Sequence, residues 1–281
     1  MEQHALFNYN FGTELANYVL RSFYEGETFY EFWEKEHGQL FEKLIEPNKV
    51  TLIHDYITYV LESAGMIRAG VNFINHLKDP EELESSIDRY KRENDIPVNM
   101  KLDFEKLKQC RMCKKCNECL KWGGYKEEII EYLENKQEEI IDPAFNILIY
   151  NKTFLRDFHE ALATWIKKHH TQLINSNKFK RYFDLKTKKL TRCTYWPKWL
   201  RKGVFFRDKG RCVINREDLT GLISVLHGDY HMDHIVPLDL YGNNDPTNLQ
   251  LLCPACNSTK GSTGSFTSRY EVPLWEASDP D

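Results

Sequence analysis

The sequence predicts a mostly helical protein that ends in a small α+β element. Apolar residues recur at four-residue spacing near the N-terminus, at Leu15, Val19 and Phe23, which is the pattern of an amphipathic helix. The same spacing over residues 154–166 predicts a second such helix. Residues 231–236 instead alternate between apolar and polar, which predicts a strand. We therefore expect helices first and a strand, loop and short helix near the C-terminus.

The composition is that of a water-soluble globular protein. The 281 residues are 41 % hydrophobic and 28 % charged, so neither a fibrous nor a low-complexity chain is indicated. The longest apolar stretch, residues 145–150, is far shorter than the roughly 20 residues of a membrane-spanning helix. The first residues lack a basic patch followed by an apolar run, so we expect no secretory signal and a cytoplasmic location.

The net charge of −4 hides a strongly basic middle. Residues 150–216 carry 18 basic and 4 acidic side chains, whereas residues 1–149 carry 18 and 28, and residues 217–281 carry 2 and 10. Within residues 178–211 the cations alternate with aromatic side chains. Cations that meet phosphates and rings that stack on bases suit a nucleic-acid surface. The alternative is a helix with an aromatic core face and solvated cations.

Four of the eight cysteines form a first cluster: Cys110, Cys113, Cys116 and Cys119. In a reducing compartment clustered thiols are more often metal ligands than disulfides. On a regular helix the three-residue spacing would rotate each thiol about 60° from the last, so the segment must break into turns to bind one ion. We predict a structural zinc site. An iron–sulfur cluster, free thiols and a redox sensor are the alternatives.

Residues 205–261 carry the residues that suggest chemistry. Asp233 and His234 lie on the predicted strand, and a polar loop at residues 242–246 follows. Asn248 then precedes an apolar run, and Asn257 lies on the predicted short helix. A chain folded back on itself as a hairpin would bring these four side chains together.

This stretch, about a fifth of the chain, resembles the HNH endonuclease family. The matching motifs occur in the family's order: RDKGRC at 207–212, DHIVPL at 233–238, NLQLLC at 248–253 and CN at 256–257. The resemblance implies a C-terminal ββα-metal finger that hydrolyses phosphodiester bonds, with double-stranded DNA as the expected substrate.

The resemblance also implies the roles of the four side chains. Asp233 and Asn257 would hold Mg²⁺ or Mn²⁺, for which carboxylate and amide oxygens are suitable hard ligands. His234 would take a proton from the attacking water, since a neutral imidazole is available near physiological pH. Asn248 would orient that imidazole.

Family members often hold the finger together with a zinc ion bound by two pairs of cysteines. This chain has three of the four thiols: Cys212, Cys253 and Cys256. Asn215 stands where the other thiol would be, and a closed zinc site needs four ligands. Cys193, His227 or a thiol of the first cluster could complete the site, and we expect Cys193. Three packed thiols without metal are the alternative.

The basic segment (residues 150–216) and the finger supply the expected nucleic-acid contacts: Lys198, Arg201, Lys202, Arg207, Arg211, His231 and Lys260. His231 is equally compatible with a hydrogen-bonded strand histidine. The predicted organisation is a helical region (1–105), a cysteine-cluster segment (106–125), a helical region that becomes increasingly basic along its length (126–177), a nuclease domain (178–270) and a tail (271–281).

Free cutting of DNA would harm a host cell, so control is expected. A regulatory protein partner could bind the N-terminal helical region, and a role in bacterial anti-phage defence would fit. Two rival hypotheses are a non-catalytic, zinc-stabilised nucleic-acid-binding module and a nuclease subunit that is active only with a partner protein.

Overall fold

The computed structural model describes residues 2–26, 28–67, 97, 102–110, 113, 115–221 and 230–268. The predicted fold class is confirmed, because the described chain is mostly helical with a C-terminal two-stranded hairpin and helix. In these ranges no helix has both the length and the apolar character required to cross a bilayer. The chain divides into two compact units, residues 1–28 with 56–147 and residues 29–55 with 148–281. The boundaries predicted from the sequence stay predictions.

Unit 1 (residues 1–28 and 56–147) is mostly helical where it is described. Its helices are α1 (Glu2–Glu25), most of α3 (Leu52–Ser63), α4 (Phe104–Gln109), α5 (Asn117–Glu134) and nearly all of α6 (Gln137–Leu148). Helix α1 approaches α6 closely at Gly12, where a Cβ atom would lie 2.4 Å from the Cβ of Pro143. A larger residue at position 12 would therefore force the two helices apart.

Unit 2 (residues 29–55 and 148–281) begins with helix α2 (Thr28–Leu40) and continues with α7 (Lys152–Asn175). The predicted helix over 154–166 lies inside α7, which Asn151 caps by accepting a hydrogen bond from the backbone N–H of Phe154. The rings of Phe29 and Phe158 meet edge to face with centroids 5.2 Å apart. Aromatic contacts of this kind hold α2 against α7.

The predicted strand over 231–236 is strand β1 (His231–His234), which pairs antiparallel with β2 (Leu249–Leu252). Asp233 lies opposite Gln250, and His234 lies opposite Leu249. Helix α8 (Lys198–Arg207) packs on the fully buried β2, and α9 (Pro254–Lys260) follows β2 directly. The result is a strand, loop, strand and helix within unit 2.

Candidate active site

A cavity of about 640 Å³ opens beside the hairpin. Asp233 and His234 from β1 and Asn257 from α9 all line it. Residues 184–194 of the basic segment contribute another part of the wall. Three of the four side chains that the sequence singled out are thus brought to one cavity. The fourth, Asn248, is fully buried in the loop between the strands.

The Asp233 carboxylate is held by one of its oxygens. Oδ2 accepts a hydrogen bond from Nε2 of Gln250 at 3.0 Å and forms an ion pair with Nζ of Lys260 at 3.0 Å. The same Nζ donates to the carbonyl oxygen of His234 at 2.7 Å. Among the described residues Oδ1 of Asp233 makes no hydrogen bond, so this oxygen is available to a ligand in the cavity.

The His234 imidazole is buried and uncharged at neutral pH. Burial lowers its pKa to about 4; a hydrogen bond with Asn244 acts in the opposite direction, and the charge of Arg192 lowers the pKa further. Nε2 of His234 lies 3.1 Å from Oδ1 of Asn244, and the Trp196 ring meets the imidazole edge to face at 5.8 Å. A neutral imidazole with one nitrogen bonded to protein is arranged to accept a proton on the other.

Asn248 braces the loop instead of contacting the imidazole. Its Oδ1 accepts from the N–H of Val236 at 2.9 Å, and its Nδ2 donates to the carbonyl oxygens of Val236 (3.1 Å) and Asn243 (2.7 Å). These are all of its side-chain hydrogen bonds within the described part of the chain. The orienting contact predicted for Asn248 belongs to Asn244, and the loop sequence offered no sign by which to choose between them.

A chain of buried polar groups ties this loop to α3 and α7. Asp245 accepts from the N–H of Leu52 at 2.9 Å and from that of Thr247 at 2.9 Å. His159 of α7 accepts from Nδ2 of Asn243 at 3.0 Å and contacts Oγ1 of Thr247 at 2.8 Å. Burial raises the pKa of Asp245 to about 6 and lowers that of His159 to about 3. The loop is therefore fixed from two helices outside the hairpin.

Two of the predicted nucleic-acid contacts have internal partners instead. Nε and an amino group of Arg207 donate to the Asp208 carboxylate at 2.8 and 2.9 Å, and Arg207 also reaches the carbonyl oxygen of Leu249 at 2.5 Å. Lys260 is buried against Asp233 and His234, as described above. Both cations are too buried to meet a phosphate. Their hydrogen bonds and ion pairs stabilise the hairpin instead.

The other five predicted contacts are exposed: Lys198, Arg201, Lys202, Arg211 and His231. His231 also lines the cavity. Two cavity cations were not singled out, although both lie in the basic segment: Lys189, whose ammonium lies 3.2 Å from the centroid of the Tyr241 ring, and Arg192, which is exposed. Both bring positive charge to a lining that also contains the carboxylates of Asp184 and Asp239.

The sulfur atoms of Cys212, Cys253 and Cys256 lie within 4.8 Å of one another. Cys193, the expected fourth ligand, is not among them: its thiol donates to the carbonyl oxygen of Tyr195 at 3.1 Å. Its thiol thus has a partner in its own loop, while Nδ2 of Asn215 lies 3.5 Å from Sγ of Cys253. His227, the other candidate of the finger, lies outside the described residues.

The four thiols of the first cluster, Cys110, Cys113, Cys116 and Cys119, also converge. Their four sulfur atoms lie within 4.8 Å of one another, with Cys110 and Cys119 3.4 Å apart. Helix α4 ends at Gln109 and α5 begins at Asn117, and the described residues between them (110, 113, 115 and 116) are not helical, as convergence of the thiols requires. Four converging thiols fit a closed tetrahedral zinc site.

Comparison with known proteins agrees with the geometry. The family model described as HNH endonuclease matches residues 222–263, which include β1, the loop, β2 and α9. Searches of the curated proteins and of the solved structures returned no match to the chain. The chain therefore carries an HNH endonuclease domain at residues 222–263.

Proposed function

We propose that the protein is a metal-dependent endonuclease that hydrolyses phosphodiester bonds in DNA. The HNH domain implies nuclease activity and a nucleic-acid substrate. The observation that carries the proposal is the single cavity that collects the carboxylate of Asp233, the neutral imidazole of His234 and the amide of Asn257. The assignment to DNA depends on the family resemblance.

Asp233 and Asn257 fit a Mg²⁺ or Mn²⁺ ion. Both donors are hard oxygens, which these ions prefer. Oδ1 of Asp233 makes no hydrogen bond to a described residue, since Lys260 and Gln250 both contact Oδ2. The side-chain amide of Asn257, which lines the cavity, makes none to a described residue either. When bound, the ion would supply positive charge against the phosphate and the leaving oxygen.

His234 accepts the proton of the attacking water. Its burial keeps the imidazole uncharged over the physiological pH range, because the charged form would lose its hydration. Its carbonyl oxygen is fixed by Lys260, and its ring is flanked by Trp196. The general base is thus held in place before substrate arrives.

The basic segment places the substrate. Arg192 and Lys189 line the cavity beside the carboxylates of Asp184 and Asp239, and these two cations would meet a phosphate of the substrate. The adjacent helix α8 carries three exposed cations, Lys198, Arg201 and Lys202. Tyr195, 69 % exposed, lies between the cavity wall and α8 in sequence and offers a ring for stacking. The nucleic-acid backbone would run from α8 towards the cavity.

Both cysteine clusters are proposed as structural zinc sites. The four thiols of the first cluster complete a closed site by themselves. The three thiols of the second need one further ligand, for which His227 stays a prediction. A cytoplasmic location also stays a hypothesis. So do a regulatory protein partner at the N-terminal helical region and a role in anti-phage defence, which are based on the need to control a DNA-cutting enzyme.

A second candidate is a non-catalytic nucleic-acid-binding module. The observation that favours it is Asn215 at the corner of the second cluster, next to Cys253, where related fingers have a thiol. A finger that retained its shape but lost turnover would bind DNA and leave it uncut whatever metal is present.

Plasmid cleavage separates the two candidates. Supercoiled plasmid is incubated with wild type, with His234→Ala and with His169→Ala, a partly exposed histidine of α7, each with and without Mg²⁺ or Mn²⁺. We expect metal-dependent cleavage that falls about 10²- to 10⁴-fold in His234→Ala, the range of general acid–base catalysis, and stays in His169→Ala. Binding without cleavage by wild type would identify the non-catalytic module.

A further inference from the structure

We propose that Asn244 is a positioning residue that sets the tautomer of the His234 imidazole, so that Nδ1 is the nitrogen left to accept the proton. The role in catalysis rests on the proposed nuclease function. The tautomer itself is a property of the folded protein and can be measured whether or not the protein cuts DNA.

The hydrogen bonds of Asn244 decide which way its amide points. Nδ2 donates to the carbonyl oxygen of Thr191 at 2.8 Å and to that of Ile45 at 3.0 Å. A reversed amide would bring its oxygen against these two carbonyl oxygens, and neither can donate a hydrogen. Oδ1 must therefore be the atom that faces His234.

The orientation of the amide then decides the protonation of the ring. An amide oxygen only accepts, so Nε2 of His234, 3.1 Å away, must carry the hydrogen and donate it. In a neutral imidazole the other nitrogen, Nδ1, is then the acceptor. This is the state that a general base needs.

Asn244 is held too firmly to rearrange at low cost. It is fully buried, its backbone N–H donates to the carbonyl oxygen of Leu44 at 2.8 Å, and its Oδ1 also accepts from the N–H of Cys193 at 3.3 Å. Rotation of the side chain would leave several buried polar groups without hydrogen-bond partners, which is unfavourable.

Apart from His234, the partners of Asn244 lie outside the HNH match. Residues 44 and 45 follow α2, and residues 191 and 193 belong to the basic segment, whereas the family model covers residues 222–263. Asn244 therefore connects the helical part of unit 2 to the His234 imidazole. Through this side chain, the helical part of unit 2 helps to set the tautomer of the proposed general base.

The tautomer of wild-type protein gives the first test. In protein labelled with ¹⁵N-histidine, long-range ¹H–¹⁵N correlation distinguishes the two neutral tautomers, and the spectrum of His234→Gln identifies the signals of His234. We expect the Nε2–H form near neutral pH. The Nδ1–H form, or an equal mixture, would overturn the proposal, even if the protein cleaves DNA.

Matched leucine variants give the second test. Asn244→Leu keeps the approximate volume and removes the acceptor. Asn243→Leu is the control, because Asn243 is the same residue type, equally buried, and bonds to His159 instead of His234. We expect Asn244→Leu to lower the single-turnover cleavage rate about 10- to 100-fold, to leave DNA affinity unchanged and to lose the Nε2–H preference.

Asn243→Leu is expected to keep that preference even where its stability falls. The proposal is overturned if Asn244→Leu keeps both the rate and the tautomer, or if Asn243→Leu loses the tautomer to the same extent. If Asn244→Leu does not fold, as judged by circular dichroism, the wild-type tautomer decides. An inactive wild type with the Nε2–H form would refute the nuclease function and leave the positioning by Asn244 standing.

Discussion

The two cysteine clusters are built in different ways. The first, in unit 1, collects four thiols from one short segment, with Cys110 and Cys119 nine residues apart in sequence. The second, in unit 2, joins Cys212 to Cys253 and Cys256 from two distant segments and has three thiols. Cys253 also caps α9, the helix that carries Asn257. The first site is thus local and complete, whereas the second depends on the hairpin and supports the proposed active site.

Removal of one thiol from each cluster should separate these roles. Cys253→Ser should release the second zinc, lower the free energy of unfolding of unit 2 by several kcal/mol and reduce cleavage by about 100-fold or more. Serine is itself a good helix cap, so the loss would report the metal site and not the start of α9. Cys116→Ser should also release one zinc but keep cleavage within about threefold, because the cavity is lined from unit 2 alone.

Elemental analysis, urea unfolding and plasmid cleavage measure these effects. A similar, large loss of cleavage in both variants would contradict the separation. Wild-type cleavage in both variants would show that the second cluster does not support the hairpin.

Addition of the missing thiol should make the two clusters more alike. Nδ2 of Asn215 lies 3.5 Å from Sγ of Cys253, so Asn215→Cys places a thiol at the open corner. We expect a chelator to remove zinc from Asn215→Cys at least about tenfold more slowly than from wild type, since a fourth thiolate closes the tetrahedral site. Asn215→Ser, which adds no strong ligand, is the control. Unchanged retention in Asn215→Cys would mean that another residue already fills this corner.

Unit 2 should also be sensitive to mild acid. Burial lowers the pKa values of His159 to about 3 and of His234 to about 4. The unfolded chain therefore binds protons below about pH 6.5 that the folded unit does not, and stability falls as the pH falls. Asp245 acts oppositely, because burial raises its pKa to about 6 and the folded state takes up that proton first.

His159→Gln isolates one contribution. Between pH 7.5 and 5.5, His159 should account for about 1 kcal/mol of lost stability, and the variant should lack this part of the pH dependence. Urea unfolding at the two pH values measures it. The same pH dependence in both proteins would show that His159 is protonated equally in the folded and unfolded states.

The proposed metal ligands and the base could be predicted because their placement follows from local order. An Asp-His pair on a strand, a turn and a returning strand with a helix bring Asp233, His234 and Asn257 to one edge. The burial of Arg207 and Lys260 could not be predicted, since their charges alone favoured exposed positions. The position of Cys193 could not be predicted either. Its thiol is a suitable zinc ligand, but it donates a hydrogen bond to the carbonyl oxygen of Tyr195 instead of joining the second cluster.

The order of residues along the chain was enough to identify the finger and the side chains on its strands, because neighbours in a hairpin are neighbours in sequence. Tertiary structure alone decided which asparagine touches the imidazole and which cations face the cavity. The contacts of that asparagine join residue 244 to residues 45 and 191. Packing of distant segments selects such partners, and no short sequence pattern encodes it.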